Sequence, residues 1–361
     1  MAPLQARALT ELTDPQLQEL VVELGGKPFQ ARQVGHWVFR HGADSYEALK
    51  NVPLALRSAL EQRMPVRSTR LEKADLAEDG TEKLLLRLHD GETIECVIIP
   101  EGERITLCVS SQAGCPVACV FCASGMMGVR RNLSPGEIVE QVLYARSRLP
   151  AGAALTNLVV MGMGEPMLNL QNLLAALARI QHEDGIGMGA RRITVSTSGY
   201  PRQMAEFTAA DPRVNLAVSL HAADDGLRKQ LVPTATSPVA EILGAARRYF
   251  EQSGREITFE VVLLAGVNDR SVDAEAMVER LQGVPCTVNL IPWNEVEEIR
   301  AARGLRRPAS SRVDAFADQL RAGGLKVTVR RQRGADRSAA CGQLRLRTLR
   351  EQQSAAPTQP S

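Results

Sequence analysis

At 361 residues the chain can bury one large core and carry a smaller unit beside it, and an apolar content of 44% is ordinary for such a protein. No run approaches the length of a membrane-spanning helix, and Met1-Ala-Pro-Leu-Gln-Ala-Arg7 has no signal-peptide apolar region, so neither a membrane partner nor export is expected. The net charge of +2 decides nothing about nucleic acid, whereas seven cysteines, an odd count with three close together, argue against a secreted disulfide framework and for a reducing cytoplasm.

Residues 1–65 read as a small helical unit. Leu17, Leu20, Val21, Val22 and Leu24 belong to a helix ended by Gly25-Gly26. A second amphipathic segment over 31–39 puts Val34, Trp37 and Val38 on one side and Arg32, His36 and Arg40 on the other. Residues 66–103 read as a linker and a β-hairpin, Leu84–Leu88 and Thr93–Ile99 around the turn His89-Asp90-Gly91-Glu92. From about residue 104 strands alternate with helices. The strand-like runs are Ile105–Val109, Asn157–Met161, Arg192–Ser196, Val214–Leu220, Ile257–Leu263, Cys286–Ile291 and Leu325–Val329. Most are uniformly apolar, which predicts parallel strands buried on both faces. Ser134-Pro135-Gly136-Glu137 is the clearest helix start, with Ser as N-cap, Pro at the first helical position and Glu at the third. The alternation predicts an α/β fold over 104–333 with right-handed crossovers, open or curled into a partial barrel, whose ligands gather at the carboxyl ends of the strands. The C-terminal part is basic: Arg300, Arg303, Arg306, Arg307, Arg312, Arg321, Lys326, Arg330, Arg331, Arg333, Arg337, Arg345, Arg347 and Arg350 have few acids between them. Such clustering suits a polyanion partner or a solvated basic face. Residues 334–361 form a C-terminal segment, expected to be disordered after Gln352.

The strongest chemical signal is Cys115-Pro-Val-Ala-Cys119-Val-Phe-Cys122. A cubane iron–sulfur cluster fully ligated by protein takes four cysteines; three leave one iron open, which the amino and carboxylate groups of S-adenosylmethionine can chelate. The alternative is a structural zinc site with a distant fourth ligand, but zinc sites usually draw paired ligands from two places. Further polar groups stand at successive strand ends. Gly164 allows close backbone approach, and Glu165 beside it suits an ammonium or ribose, or else a tight turn with an exposed acid. Ser196-Thr-Ser-Gly199 offers hydroxyls, Ser219-Leu220-His221 ends the next strand, and Ile291-Pro-Trp-Asn294 ends a later one. A lone histidine at a strand end is more often structural than catalytic.

The ordered set Cys115-x3-Cys119-x2-Cys122, Gly162-Met-Gly-Glu-Pro166, Ser196-Thr-Ser-Gly199, Ser219-Leu-His221, Ile291-Pro-Trp-Asn294 and Ala340-Cys-Gly-Gln-Leu344 resembles the radical S-adenosylmethionine adenine-C2 RNA methyltransferases. The likeness runs from about residue 10 to 345 and includes Pro28-Phe-Gln-Ala-Arg-Gln-Val-Gly-His-Trp37. The resemblance implies a partial (β/α)6 barrel, a [4Fe-4S] cluster on Cys115, Cys119 and Cys122, and S-adenosylmethionine held by Gly164, Glu165, Ser196, Ser219, Leu220, His221 and Asn294. It implies as partners 23S rRNA and tRNA modified beside the anticodon, an electron donor such as flavodoxin, and a monomeric enzyme. It also implies two uses of S-adenosylmethionine. One molecule methylates Cys341; a second, cleaved at the cluster, yields a 5′-deoxyadenosyl radical that takes hydrogen from that methyl group. The resulting methylene radical adds to adenine carbon-2, Glu95 accepts the ring proton, and Cys108 releases the product by forming a disulfide with Cys341. Cys96 and Cys286 have no role in this scheme and read as core. The related adenine-C8 rRNA methyltransferases are the alternative, but Pro166, Ser198 and Pro292-Trp293 resemble the C2 family more. The arginine-rich stretch between Asn294 and Arg312 and the pair Arg337-Ser338 depart from the family pattern, which leaves room for a paralogue with another RNA target. Two other readings compete: a non-catalytic RNA-binding protein with a structural metal, and a radical enzyme acting on a small molecule.

Overall fold

The computed structural model describes residues 7–211, 213–234, 236–330, 343–346 and 348. Thr13 caps the first helix, α1 (Asp14–Glu23), by exchanging backbone-to-side-chain bonds with Gln16 at 3.0 and 3.4 Å. It packs on α2 (Pro28–Gly35), which runs into a π-helical turn over His36–Arg40, and α3 (Leu54–Arg63) completes the unit. Leu17, Leu20, Val21, Val34, Val38 and Phe39 are buried, as the apolar spacing predicts.

Four strands follow as an antiparallel meander: β1 (Arg70–Leu76), β2 (Glu82–Arg87), β3 (Thr93–Glu101) and β4 (Arg104–Val109). The hairpin of β2 and β3 is the expected one, whereas β1 lies in what reads as linker, because its alternation of charged and apolar residues carries little hydrophobic signal. Beyond β4 come the short strand β5 (Gln112–Gly114), α4 (Ala123–Met126) and β6 (Val129–Asn132), with β5 and β6 paired apart from the main sheet. Then follow α5 (Pro135–Arg148), β7 (Asn157–Val160), α6 (Leu170–Gln181), β8 (Ile193–Thr197), α7 (Pro201–Ala210), β9 (Asn215–Ser219), α8 (Asp225–Leu231) and α9 (Val239–Ser253). The described chain continues through β10 (Ile257–Leu263), α10 (Ser271–Leu281), β11 (Cys286–Pro292), α11 (Glu297–Arg303), α12 (Ser310–Ala322) and β12 (Lys326–Val329).

The main sheet has ten strands in the order β1-β2-β3-β4-β7-β8-β9-β10-β11-β12, parallel from β4 onward. All the strands expected after residue 104 are present and lie in chain order, with helices between the parallel neighbours. This is the α/β partial-barrel topology, extended at one edge by the meander and beside a small helical N-terminal unit.

The parallel strands are not buried evenly on both faces as their composition suggests. Burial alternates along β7, β8 and β11. Register explains why. Leu107, Leu158 and Ile193 align on one face, which joins the main hydrophobic core. Cys108, Val159 and Thr194 align on the other. That second face also carries Ser196, and in one transverse row Ser219, Glu260, Asn289 and Thr328. A polar inner face backed by an apolar outer one is the pattern of a barrel wall around a ligand space.

Candidate active site

The cysteine loop follows β5, at the carboxyl end of β4, and its backbone is pinned from four sides. Cys115 donates its N–H to Gly128 O at 2.9 Å, Val120 donates to Leu231 O at 3.0 Å, Thr234 Oγ1 donates to Val117 O at 2.6 Å, and Trp293 Nε1 donates to Phe121 O at 2.9 Å. Ala118 takes a positive φ of 54°, a costly conformation for a residue with a Cβ. A Cβ on Gly125 would stand 3.0 Å from Cys119 N and 3.1 Å from its carbonyl oxygen, so a larger residue there would crowd the cysteine loop. Cys115, Val117, Phe121, Leu231, Leu264 and Trp293 share a second apolar cluster around the loop.

Cys115 is buried, and Cys119 and Cys122 are half-buried. Burial pushes the Cys115 thiol up to about 12, with the neighbouring Cys122 and Glu165 adding to it. Burial also holds the Cys119 thiol well above its ordinary range, followed by the charges of Cys122 and Cys115. Cys115 and Cys119, whose thiols are raised by burial and by their neighbours, are stabilised as thiolates when a cation binds them. A cubane takes one thiolate on each of several irons, and three thiols on one loop in an apolar shell are a donor set that fits such a cluster.

Glu165 follows the turn after β7 and is buried at 2% exposure, not the exposed acid of an ordinary turn. Its Oε1 accepts from Met167 N at 3.0 Å and Thr197 Oγ1 at 2.7 Å; its Oε2 accepts from Ser198 N at 2.7 Å and Ser198 Oγ at 2.8 Å. Burial raises its pKa, and these bonds oppose the rise. Gly164, at φ 110°, is close-packed against the chain itself: a Cβ there would meet Gln112 Cβ, Gln112 N and Ser111 Oγ, each at 2.7 Å. Ser196 Oγ and Ser219 Oγ stand 3.5 Å apart on neighbouring strands. Leu220 is buried, and its N–H and that of His221 donate to Glu260 O. His221, at φ 62°, accepts the Val262 N–H on Nδ1 at 3.2 Å and meets the Phe121 ring edge-on at 4.8 Å. Asn294 Oδ1 accepts from Arg307 Nη1 at 3.4 Å. These residues cap successive strands around the cysteine loop, as expected.

Glu95 and Cys108 sit on adjacent strands. Val97 pairs with Cys108, which puts Glu95, two residues back, on the same inner face. Glu95 is buried rather than directed to solvent, and it accepts the backbone N–H of Arg345. Its own carbonyl accepts from Ser110 Oγ at 2.6 Å. Cys96 faces the opposite way into the main core, and Cys286 joins that core as well. Cys96, Cys108, Cys115, Cys119, Cys122 and Cys286 form no disulfide with one another. Cys341, Arg331, Arg333, Arg337, Arg347, Arg350 and the tail after Gln352 lie outside the described residues.

Several site-building residues escape sequence reasoning. Asn268 is one; its Nδ2 donates to His221 O and Val262 O at 2.9 and 2.7 Å. Arg228 is buried and donates to Ser198 O, and Glu260 accepts from Asn289 Nδ2 at 2.9 Å. The position of Asn268 in Gly266-Val267-Asn268-Asp269 was the available signal. In the basic stretch, Arg312 Nε holds Asp269 O at 2.5 Å and Arg307 Nη1 holds Trp293 O at 3.3 Å, so part of that charge is structural.

Comparison with known proteins agrees with this geometry. Residues 109–280 match the radical SAM superfamily, and residues 8–66 match the ribosomal RNA large subunit methyltransferase N-terminal domain. A probable dual-specificity RNA methyltransferase RlmN from Rhodopirellula baltica is 44% identical over 331 residues, 91% of this chain and 88% of that protein. The dual-specificity RNA methyltransferase RlmN of Anaeromyxobacter dehalogenans is 45% identical over 345 residues, covering 93% and 91%. The crystal structure of a radical SAM methyltransferase from Sphaerobacter thermophilus superposes with a TM-score of 0.88 at 44% identity, covering 93% of this chain and 98% of that one. With the cysteine loop, the strand-end groups and the N-terminal unit all in place, the chain belongs to the RlmN family of radical SAM RNA methyltransferases.

Proposed function

We propose that this chain methylates carbon-2 of adenosine in 23S rRNA and in tRNA beside the anticodon, carrying the methyl group on Cys341. One observation carries the reading furthest: Glu95 and Cys108 share the inner face of adjacent strands, and Arg345, four residues beyond Cys341 in sequence, bonds to Glu95. This placement supports the reading of Glu95 as proton acceptor and Cys108 as the second thiol.

Cys115, Cys119 and Cys122 would hold a [4Fe-4S] cluster; Gly164, Glu165, Ser196, Ser219, Leu220, His221 and Asn294 would surround S-adenosylmethionine. When bound, the pair supplies the methyl group and the one-electron chemistry that an electron-poor ring carbon demands. The protein's own residues do the rest. Glu95 takes the proton from carbon-2, and the unpaired electron left by the radical addition would return to the cluster, leaving a closed-shell thioether between Cys341 and the adenine. The Cys108 thiolate attacks the Cys341 sulfur, a sulfur–sulfur bond forms, and the carbon–sulfur bond breaks with its electron pair passing to the carbon, which becomes methyl on protonation. Residues 1–65 serve as an RNA-binding accessory unit, 66–103 as linker and hairpin, 104–333 as the catalytic core and 334–361 as the carrier segment. The enzyme works as a monomer in the cytoplasm, with an external donor such as flavodoxin.

The test is mass spectrometry of adenosines from rRNA and tRNA of a strain lacking the gene. 2-Methyladenosine disappears from both and returns with the wild-type gene but not with Cys341→Ala. Cys108→Ala accumulates protein attached to RNA through Cys341, seen as a ribonuclease-sensitive band on a denaturing gel. Full methylation by Cys341→Ala, or normal turnover by Cys108→Ala, removes that residue from the scheme.

A further inference from the structure

Gln343–Leu346 forms one helical turn that touches two parts of the partial barrel. At one end Gln343 Nε2 donates to Glu295 O at 3.1 Å, in the loop after β11. At the other, Arg345 meets the hairpin twice: its guanidinium pairs with Glu92 in the turn before β3, and its backbone N–H donates to Glu95 on β3. Strands β3 and β11 lie near opposite ends of the sheet order, so these contacts bridge its two sides. Leu344, between them, is fully buried. We propose that Arg345 is a positioning residue, whose ion pair with Glu92 latches this turn and sets its N–H against the Glu95 carboxylate. The proposal rests on the carrier reading given above for Cys341. Cys341 stands four residues before Arg345 in sequence, a reach of at most about 14 Å from the latch.

The latch is built to release. Arg345 is 2% exposed, yet its Nε and Nη1 have no hydrogen-bond partner. Buried donors left unpaired cost free energy, which opposes the gain from the ion pair and from burying Leu344. Glu92 is also shared, with Arg130 Nε 3.8 Å from its carboxylate. Opposed terms of this kind keep the docked and undocked states close in free energy, as a carrier that visits donor and acceptor in turn requires.

The experiment is residue-resolved amide hydrogen exchange on the anaerobic full-length holoenzyme, with Glu92→Ala, Arg345→Ala and the double variant. Glu92 lies on a half-exposed turn, so its replacement leaves the fold intact. Exchange at residue 345 should quicken at least tenfold in each single variant and no further in the double. In parallel, kcat for RNA methylation should fall at least tenfold in both, KM for RNA should stay within threefold, and Arg345→Lys should recover kcat to within threefold of wild type. Exchange indifferent to Glu92→Ala, single effects that multiply in the double variant, or a loss confined to KM would overturn the latch. Cys341→Ala, run alongside, separates the two ideas. If it still methylates RNA, the carrier reading fails, while exchange at residue 345 continues to decide the latch.

Discussion

The His221 imidazole accepts the Val262 N–H on Nδ1, presents its ring to Phe121, and is lowered to about 3 by burial first and by the Arg228 charge second. It stays neutral at working pH, with its remaining proton on Nε2. Below its ordinary value of about 6.5 the unfolded chain binds a proton that the folded chain refuses until about 3. The stability due to neutral His221 is therefore complete above pH 6.5 and drains away as pH falls toward 3, at about 1.4 kcal/mol per unit. Between pH 7.5 and 5.5 the expected loss is about 1.4 kcal/mol. His221→Asn tolerates the positive φ of 62° and removes this titration. Urea midpoints of both proteins at the two pH values, taken anaerobically, should show a smaller drop for the variant; equal drops would mean that His221 does not titrate as its burial requires. The sequence reading of this residue, a strand-end histidine more often structural than catalytic, matches its bonding to Val262. At Glu165 the limit is plain: four donors occupy the carboxylate, and Thr197 and Ser198 come from a strand more than thirty residues on, a pairing no local pattern announces.

The elements themselves were legible where periodicity and caps speak. Ser134 and Glu137 close the expected reciprocal cap at 3.2 and 3.0 Å, and the strands after residue 104 fall where their apolar runs lie. Composition was less informative about faces. Thr194, Ser196, Glu260 and Asn289 share the inner wall only because of register between strands distant in sequence, which residue counts within one strand do not reveal. The cysteine loop carries the same lesson, because its supports come from other elements. Trp293 follows β11 directly, and its indole N–H is 2.9 Å from Phe121 O. Trp293→Phe keeps most of the ring volume but leaves that buried carbonyl without its donor, at a cost of about 1–3 kcal/mol. The loop between Cys119 and Cys122 should then loosen. With the proposed cluster loaded, iron should leave the variant faster under chelator, followed by loss of absorbance near 400 nm, with a lowered Tm. Iron release at the wild-type rate would show that the backbone bonds of Cys115 and Val120 suffice.

Across the whole molecule, the N-terminal unit is held to the core by buried acids rather than by apolar contact alone. Glu140, on α5, is fully buried, and its Oε1 accepts from Ser68 N at 2.8 Å while its Oε2 accepts from Thr69 N at 2.8 Å and Thr69 Oγ1 at 2.5 Å. Thr10 Oγ1 reaches the same carboxylate from the opposite end of the unit, at 2.5 Å. Burial raises the Glu140 pKa, and this ring of donors opposes the rise. Glu11 reaches back to the start of the same helix, accepting from Ser134 and from Gly136 N, and Arg146 donates to Phe39 O at 2.9 Å and Arg40 O at 2.6 Å. One helix thus fastens the start of the unit at residues 10–11, its middle at residues 39–40, and the chain just beyond it at residues 68–69. Sequence reading divides the chain near residue 65, but a lone Glu140 inside an amphipathic helix gives no sign that it spans that division. Glu140→Ala removes the acceptor and strands at least two backbone N–H groups, for a cost of about 3–5 kcal/mol. Contacts of the cysteine loop lie elsewhere, so the loss should be local. Limited proteolysis should cut the variant near residues 64–69 at least tenfold faster than wild type, while iron content and S-adenosylmethionine binding stay within twofold. If the N-terminal unit orients RNA, as proposed, KM for RNA should rise. Cleavage at the wild-type rate would show that Glu11 and Arg146 hold the unit without Glu140, and loss of iron in step with cleavage would show that unit and core unfold as one.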